Sequence, residues 1–285
     1  MTSTKPPLLG AHMSIAGGID KAFYRGLEIG CTAIQIFTHS NRQWKMSPIS
    51  PAIIEATNEA RKSTGITSCV VHASYLINLG SQSSETVKKS KETLRKELLN
   101  CHDLSIPYLV LHPGSGAVSL EASLEQIAAL LDEVFEETPV STEILLENMA
   151  GQGTQVGYTL EQLASLKKRS RNPDKLHFCI DTCHLWTSGY DFSTKENYEQ
   201  VIQTLDQLLG ISHIKAIHIN DSKKALGSRV DRHEDIGKGT LGLLPFSLIL
   251  NDTRLAAIPK ILETPGDLLE DFGRNLTTLR SLISV

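Results

Sequence analysis

Short strand-like runs alternate with helix-like segments along the whole 285-residue chain, and this alternation restricts the possible folds more than any other feature. Each run is rich in β-branched and aliphatic residues and is followed by a polar turn and then an amphipathic stretch. Such alternation predicts a parallel sheet covered by helices. The eight runs are LLGAHMS (8–14), AIQIFT (33–38), SCVVHAS (68–74), YLVLHPG (108–114), EILLENM (143–149), LHFCIDT (176–182), IKAIHIND (214–221) and PKILETP (259–265).

Apolar residues three and four positions apart mark the segments between the runs as helices. Clear examples lie at 124–134 and 201–209, and another ends the chain at 269–283. Eight strand-and-helix units within about 250 residues match the size of a (β/α)8 barrel. The main alternative is an open doubly wound sheet. No linker, low-complexity tract or repeat divides the sequence. We therefore predict the α/β class, with residues 1–285 forming a single (β/α)8 TIM barrel domain.

Nine side chains that can bind metal ions stand at or just beyond the ends of these runs. A single histidine or acid in such a place is more often a hydrogen-bonded structural residue, but nine together would repel and desolvate one another unless cations lay between them. A closed ring of strands directs its carboxyl ends to one mouth, so the grouping also favours the barrel. The candidates are His72, His112, Glu147, Asp181, His184, His218, Asp231, His233 and Glu263.

Local spacing adds detail at two of the motifs. In VDRH, Asp231 and His233 are two residues apart, so in an extended segment both side chains point the same way and can share a metal ion. In CIDTCH, Asp181 ends the strand and His184 is expected in the following turn, so these two side chains are free to reach different ions. Cys179 and Cys183 flank Asp181, and strand packing is favoured over thiolate ligation for both.

Several further residues have more than one interpretation. His12 is either a contact behind the ligands, a substrate contact or a structural residue. The loop NRQWK (41–45) is either a solvated loop anchored by Trp44 or an aromatic and basic wedge for a nucleic-acid groove. Tyr75 and Leu76 are either core residues or exposed inserts, and periodicity does not separate these alternatives.

Charge and composition limit the class of protein. The four candidate carboxylates account for the whole formal charge of −4, and three divalent cations would bring the total to +2, so the acidic balance does not exclude a phosphate substrate. No signal sequence or apolar run long enough to span a bilayer is recognisable. Five cysteines without paired C-x-x-C spacing indicate reduced thiols. We expect a cytoplasmic protein without membrane contact.

These motifs resemble endonuclease IV, the family of metal-dependent apurinic/apyrimidinic (AP) endonucleases of base excision repair. The resemblance extends from GAHMSIAGG near the start to ILETP near the end, through FTHSNRQW, HASYLINLG, HPGS, ENMAGQG, CIDTCH, HINDSK and GSRVDRH in the order of that family. DTCH with a downstream VDRH is highly specific, whereas HPGS alone is not. The sequence departs from the family pattern at His39 and Ser40.

The resemblance implies three zinc ions per chain and a role for each candidate residue. His72 and His112 would bind the first ion, and Glu147, also the implied catalytic residue, would bridge it to the second. Three loop residues, by the same resemblance, would enter the DNA at the lesion and help to kink it: Arg42, Tyr75 and Leu76. The second ion would also be bound by Asp181, His218 and Glu263, and the third by His184, Asp231 and His233.

The implied reaction is hydrolysis of the phosphodiester on the 5′ side of an abasic site in double-stranded DNA, leaving a 3′-hydroxyl and a 5′-deoxyribose phosphate. The resemblance also implies a monomer. Two other classes remain open from the residues alone. A sugar isomerase or epimerase uses a similar barrel with one or two metal ions, for which the DTCH and VDRH ligands would be surplus. A non-catalytic binder of damaged DNA could use zinc structurally.

Overall fold

The computed structural model of the chain describes residues 7–116, 119–266 and 268–284. Strands and helices alternate through it, with three short 3-10 turns at Pro173–Lys175, Ile211–His213 and Thr253–Leu255. In chain order the elements are β1 (Leu9–His12), α1 (Ile19–Glu28), β2 (Ala33–Ile36), α2 (Pro51–Thr64), β3 (Ser68–His72), α3 (Ser84–Asp103), β4 (Tyr108–Leu111), α4 (Leu120–Glu137), β5 (Glu143–Glu147), α5 (Leu160–Arg169), β6 (Leu176–Asp181), α6 (Thr182–Thr187), α7 (Lys195–Leu209), β7 (Ile214–His218), β8 (Asp221–Ser222), β9 (His233–Glu234), α8 (Leu244–Asn251), β10 (Lys260–Leu262) and α9 (Leu269–Ser281).

Eight parallel strands close into a barrel in the order β1-β10-β7-β6-β5-β4-β3-β2. The first and last of them pair directly, with Gly10 opposite Ile261, so the sheet has no free edge. Every barrel strand lies within one of the eight runs of the sequence. The prediction of a (β/α)8 barrel is confirmed, and the open doubly wound sheet is excluded.

Serine or threonine begins five of the helices. In each case the hydroxyl oxygen accepts a hydrogen bond from a backbone N–H of the first turn, which satisfies a group that the helix itself leaves unpaired. Four of these helices, α3, α4, α5 and α7, bury an apolar stripe against the outside of the barrel. The helix α2 buries Thr57 and Ala60 instead. The capping residues are Ser50 of α2, Ser83 of α3, Ser119 of α4, Thr159 of α5 and Thr194 of α7.

An apolar layer fills the middle of the barrel. It consists of small and aliphatic side chains that point inward from seven strands and are at most 2% exposed. Because successive side chains of a strand alternate between the two faces, the residue two positions further along each strand also points inward, at the carboxyl-end rim. The layer therefore forms the floor beneath the side chains at the carboxyl-end rim. Its members are Ala33, Val70, Val110, Leu145, Cys179, Ala216 and Ile261.

Two elements near the rim differ from the sequence-based prediction. His184 was expected in a turn, but Asp181 caps a short helix, α6, and accepts a hydrogen bond from the backbone N–H of His184 at 2.7 Å. The segment after β7 forms an antiparallel hairpin in which Ser222 of β8 pairs with His233 of β9. Both elements carry candidate ligands over the mouth of the barrel.

All five cysteines are free and buried, in agreement with the prediction of reduced thiols. Along the described part of the chain, we find no helix with both the length and the apolar character needed to cross a bilayer.

Candidate metal centre

One inward-pointing side chain from each barrel strand contributes to a polar layer directly above the apolar floor. Six of the nine candidate ligands lie there, each two residues after a floor residue of its own strand, as with Val70 and His72 or Leu145 and Glu147. Strands β1 and β2 contribute His12 and Gln35 at the equivalent positions. The six ligand candidates in this layer are His72, His112, Glu147, Asp181, His218 and Glu263.

The structure brings all nine candidates together into three groups at the rim. Within each group, the potential ligand atoms all lie within 4.8 Å of one another. Glu147 belongs to two of the groups, so these two share a side chain. The groups are His72, His112 and Glu147; Glu147, Asp181, His218 and Glu263; and His184, Asp231 and His233.

Glu147 lies at the centre of the first two groups with no exposed surface. Its Oε2 atom is 3.3 Å from Nε2 of His72 and 3.2 Å from Nε2 of His112. Its Oε1 atom is 3.1 Å from Nδ1 of His218, which is in turn 3.1 Å from Oε2 of Glu263. The two oxygens of one carboxylate therefore face different sets of histidines.

These separations suit a four-coordinate zinc ion. With metal–ligand bonds of the usual length, tetrahedral ligand atoms are about 3.3 Å apart. The distances around Glu147 fall between 3.1 and 3.3 Å. The imidazole and carboxylate donors are also the types that zinc accepts.

The third group is assembled by α6 and the hairpin above the barrel. Nε2 of His184 is 3.2 Å from Oδ2 of Asp231, and Nε2 of His233 is 3.4 Å from Oδ1 of the same carboxylate. Neither contact has the geometry of a hydrogen bond, and both Nε2 atoms are buried without a hydrogen-bond partner. Buried polar atoms without partners are costly. A cation bound between these three side chains would satisfy them, so the residues present fit a metal ion.

Backbone carbonyls fix the rings of three histidines. Nδ1 of His72 lies 2.7 Å from the carbonyl oxygen of Ala73, and Nδ1 of His184 lies 2.9 Å from that of Asn148. Nδ1 of His233 makes the equivalent contact with Glu263 at 3.0 Å. A carbonyl accepts only from a protonated nitrogen, so in the neutral ring the lone pair is on Nε2, which faces the carboxylates. This arrangement orients histidines that bind metal ions.

Attraction between carboxylates and imidazoles in the cluster shifts the pKa values of Glu147 and His184 in opposite directions. Burial alone raises the pKa of Glu147, but the nearby imidazoles of His218 and His112 outweigh it and hold that pKa well below its usual range. Burial likewise lowers the pKa of His184, yet the charges of Asp181 and Asp231 raise it well above its usual value. The low pKa of Glu147 favours its ionised form, whose charge requires compensation, and protons and metal ions compete to supply it.

Two asparagines hold Asp181 and Glu263 in place by hydrogen bonds to backbone and carboxylate, and the sequence analysis missed both. Asn220 donates from Nδ2 to Oδ2 of Asp181 at 2.6 Å, and its Oδ1 accepts from the backbone N–H of Glu263 at 2.7 Å. Asn148 accepts from the backbone N–H of Asp181 at 2.7 Å. Each asparagine follows a ligand candidate by one or two residues, in ENM and HIND, which is the available sequence signal.

Cys179 and Cys183 come close to the ligand groups but are poor ligands. Cys179 lies beside Glu147 and His218, and Cys183 beside Asp181 and His233. Burial raises the pKa of both thiols to about 12. A raised pKa disfavours the thiolate that a metal ion binds. Both side chains also have packing positions, Cys179 in the apolar floor and Cys183 in α6.

The three predicted DNA-contact residues lie on two adjacent loops at the same mouth. Tyr75 is 55% exposed, and its ring centroid is 5.1 Å from that of His72. Arg42 is exposed and Leu76 is half-buried. The loops are linked by a hydrogen bond from the Ser74 hydroxyl to the carbonyl oxygen of Asn41 at 3.0 Å.

Comparison with known proteins identifies the family. Residues 23–282 match the family described as Xylose isomerase-like TIM barrel. The chain is 45% identical over 277 residues to a probable endonuclease 4 of Trichlorobacter lovleyi, covering 96% of this chain and 99% of that protein. It is 44% identical over 280 residues to a probable endonuclease 4 of Chloroflexus aurantiacus, with coverage of 97% and 98%.

Solved structures give the same result. The crystal structure of endonuclease IV from Thermus thermophilus matches with a TM-score of 0.87 and 36% identity, over 97% of this chain and 98% of that one. A D-tagatose 3-epimerase-like protein matches with a TM-score of 0.72 at 20% identity over 96% of each chain, which is a likeness of fold alone. With full-length relatives, a matching structure and the residue pattern of the rim in agreement, the chain belongs to the endonuclease IV family.

Proposed function

We propose that the protein is a zinc-dependent AP endonuclease of base excision repair, acting as one domain over residues 1–285. It would hydrolyse the phosphodiester 5′ to an abasic site in duplex DNA, leaving a 3′-hydroxyl and a 5′-deoxyribose phosphate. The observation that carries the proposal is the convergence of nine ligand side chains into three groups at one rim of the barrel. Relatives named endonuclease 4 over their full length support it.

Three zinc ions would be bound by the three groups, with Glu147 shared between the first two. When bound, closely spaced divalent cations lower the pKa of water and stabilise both the attacking and the leaving oxygens of a phosphodiester. The chain's own contribution is to hold the ligand atoms at fixed separations. Outer contacts from Asn148, Asn220 and the backbone carbonyls perform that task.

The loops beside the cluster would bind the DNA. Tyr75 stands exposed next to His72, where it can stack on a base or sugar, and Arg42 and Leu76 lie on the same side of the mouth. An abasic nucleotide has no base to unstack, so turning it out of the helix costs less than the few kcal/mol needed for an intact one. Selectivity would then require only that the pocket exclude a base.

Alanine at Arg42 or Tyr75 is expected to weaken binding to duplex DNA that contains an abasic site. Loss of a stacking contact is worth about 1–3 kcal/mol, and loss of a phosphate contact also lowers the affinity. Fluorescence anisotropy measures the affinity, and elemental analysis checks that the metal content is unchanged. The matched controls are Tyr24→Ala, an exposed tyrosine on α1, and Lys62→Ala on α2. Unchanged affinity in the loop variants would assign both residues to ordinary loop roles.

A duplex with a single tetrahydrofuran abasic analogue tests the activity itself. We expect incision 5′ to the analogue, a 3′ end that a DNA polymerase extends, loss of cleavage after treatment with a chelator, and recovery on adding zinc. The analogue cannot undergo β-elimination, so cleavage requires hydrolysis. Elemental analysis is expected to give three zinc per chain, and sedimentation a monomer. Absence of incision in the zinc-loaded protein would contradict the proposal and favour a DNA binder without turnover.

A further inference from the structure

Gln35 occupies an unexpected place in the centre of the barrel. It lies in β2 between Ile34 and Ile36, and its side chain has no exposed surface. A buried amide is costly unless all of its donors and acceptors find partners. The contacts of this amide therefore indicate why a polar side chain is retained at this position.

The amide of Gln35 contacts three residues of the polar layer. Nε2 donates to Oε1 of Glu263 at 2.6 Å and to Nδ1 of His12 at 3.0 Å. Oε1 accepts from Nε2 of His218 at 2.8 Å. Both donors and the acceptor find chemically suitable partners in one orientation of the amide. The reverse orientation would place the NH₂ group against His218 and an oxygen against the carboxylate of Glu263.

These contacts fix the ring of His218 in a way that differs from the other histidines. Because its Nε2–H donates to Gln35, the lone pair of the neutral ring is on Nδ1. That atom lies 3.1 Å from both Oε1 of Glu147 and Oε2 of Glu263. His72, His184 and His233 instead present Nε2 and are fixed by backbone carbonyls. His218 is oriented by a side chain, so its orientation can be removed by mutation.

We propose that Gln35 is a positioning residue of the metal site: its amide holds His218 with Nδ1 toward the ligand group and restrains the carboxylate of Glu263. The inference rests on the proposed metal-dependent function. The same amide also fixes the ring of His12. Because Nδ1 of His12 accepts a hydrogen bond from Gln35, the proton of the neutral His12 ring is on Nε2. That nitrogen is buried without a hydrogen-bond partner, and His12 lines a cavity of about 600 Å³ with Tyr75 and Glu263.

Methionine and alanine at position 35 separate positioning from packing. Gln35→Met keeps the length of the side chain and removes the amide, whereas Gln35→Ala also leaves a void. Zinc-loaded protein is mixed with a chelating dye, and the rate of zinc release is followed. We expect release to be about 10–100-fold faster in both variants, the range typical of lost outer contacts to metal ligands. The ring N–H proton signal of His218 is expected to shift upfield in Gln35→Met, because its acceptor is gone.

Gln126→Ala is the matched control. Gln126 also donates two hydrogen bonds, to the carbonyl oxygens of Leu79 and Ser81 at 2.7 and 2.9 Å, but it lies on α4 outside the barrel. Its loss is expected to leave zinc release unchanged. A wild-type release rate and an unmoved His218 signal in Gln35→Met would overturn the inference while leaving the proposed function intact. Wild-type protein that binds no zinc would contradict both.

Discussion

Replacing Glu147 by glutamine is expected to abolish most of the DNA cleavage while the protein still folds. Glutamine has the same shape, but its NH₂ group cannot bind a cation. One half of the carboxylate faces His72 and His112 and the other half faces His218, so the variant loses one side of the shared ligand. Removal of a single preorganised electrostatic group costs about 10²–10³-fold in rate, and loss of a bridging ligand is expected to cost at least that much.

Single-turnover cleavage of the abasic duplex measures this effect, with circular dichroism as the check on folding. The same strand offers a matched control. Glu143 lies at the opposite end of β5, where its Oε2 atom is 3.1 Å from Nε2 of His177. Glu143→Gln therefore makes the same substitution beside a histidine, but on the other side of the apolar floor. Glu143→Gln is expected to cleave the abasic duplex at the wild-type rate. Near-normal cleavage by Glu147→Gln would refute the bridging role.

Gly10→Ala is expected to produce the largest loss of stability in the barrel. A Cβ atom at this position would lie 1.6 Å from the backbone carbonyl oxygen of Ala33, far inside van der Waals contact. The neighbouring atom belongs to the paired strand β2, so relief requires the two strands to separate. Overpacking of a core typically costs about 1–3 kcal/mol, and we expect about 3 kcal/mol or more in the free energy of unfolding.

Chemical denaturation followed by circular dichroism measures this change, and Gly273→Ala is the contrasting variant. Gly273 lies within α9, where an added Cβ would meet Ile29 at 3.5 Å, an ordinary contact. Alanine there is expected to stabilise the protein by about 0.5–1 kcal/mol because it favours the helix. If both variants unfold at the same denaturant concentration, the close approach of β1 and β2 does not determine the stability of the barrel.

The strands and the ligand groups could be predicted because both depend on local pattern. A buried parallel strand has a continuous apolar run, and in a closed barrel the end of each run points to one mouth. His72 and Glu147 therefore meet although they are far apart in sequence. Gln35 was missed because a single glutamine in AIQI has no local signal. That the side chain of Gln35 points into the barrel follows only from the position of Ala33, which lies two residues earlier in β2 and belongs to the apolar floor.

The segments outside the barrel were predicted less well for a different reason. The helix α6 depends on Asp181 acting as its cap, and the hairpin of β8 and β9 pairs residues 221–222 with residues 233–234. The helix depends on a side-chain cap and the hairpin on backbone pairing, and hydrophobic periodicity predicts neither contact. The family resemblance implied the grouping of His184 with Asp231, but the local pattern of the residues alone did not.

The apolar layer across the barrel has a practical consequence for engineering. Residues at the opposite end, such as Tyr108 and Lys215, border a separate cavity of about 450 Å³. Tyr108 stands four residues before His112, roughly 13 Å along an extended strand. A fluorophore or a surface tether attached at that end would be separated by the apolar layer from the candidate metal centre and from the exposed loops beside it. Immobilised enzyme oriented in this way would present its working face to solution.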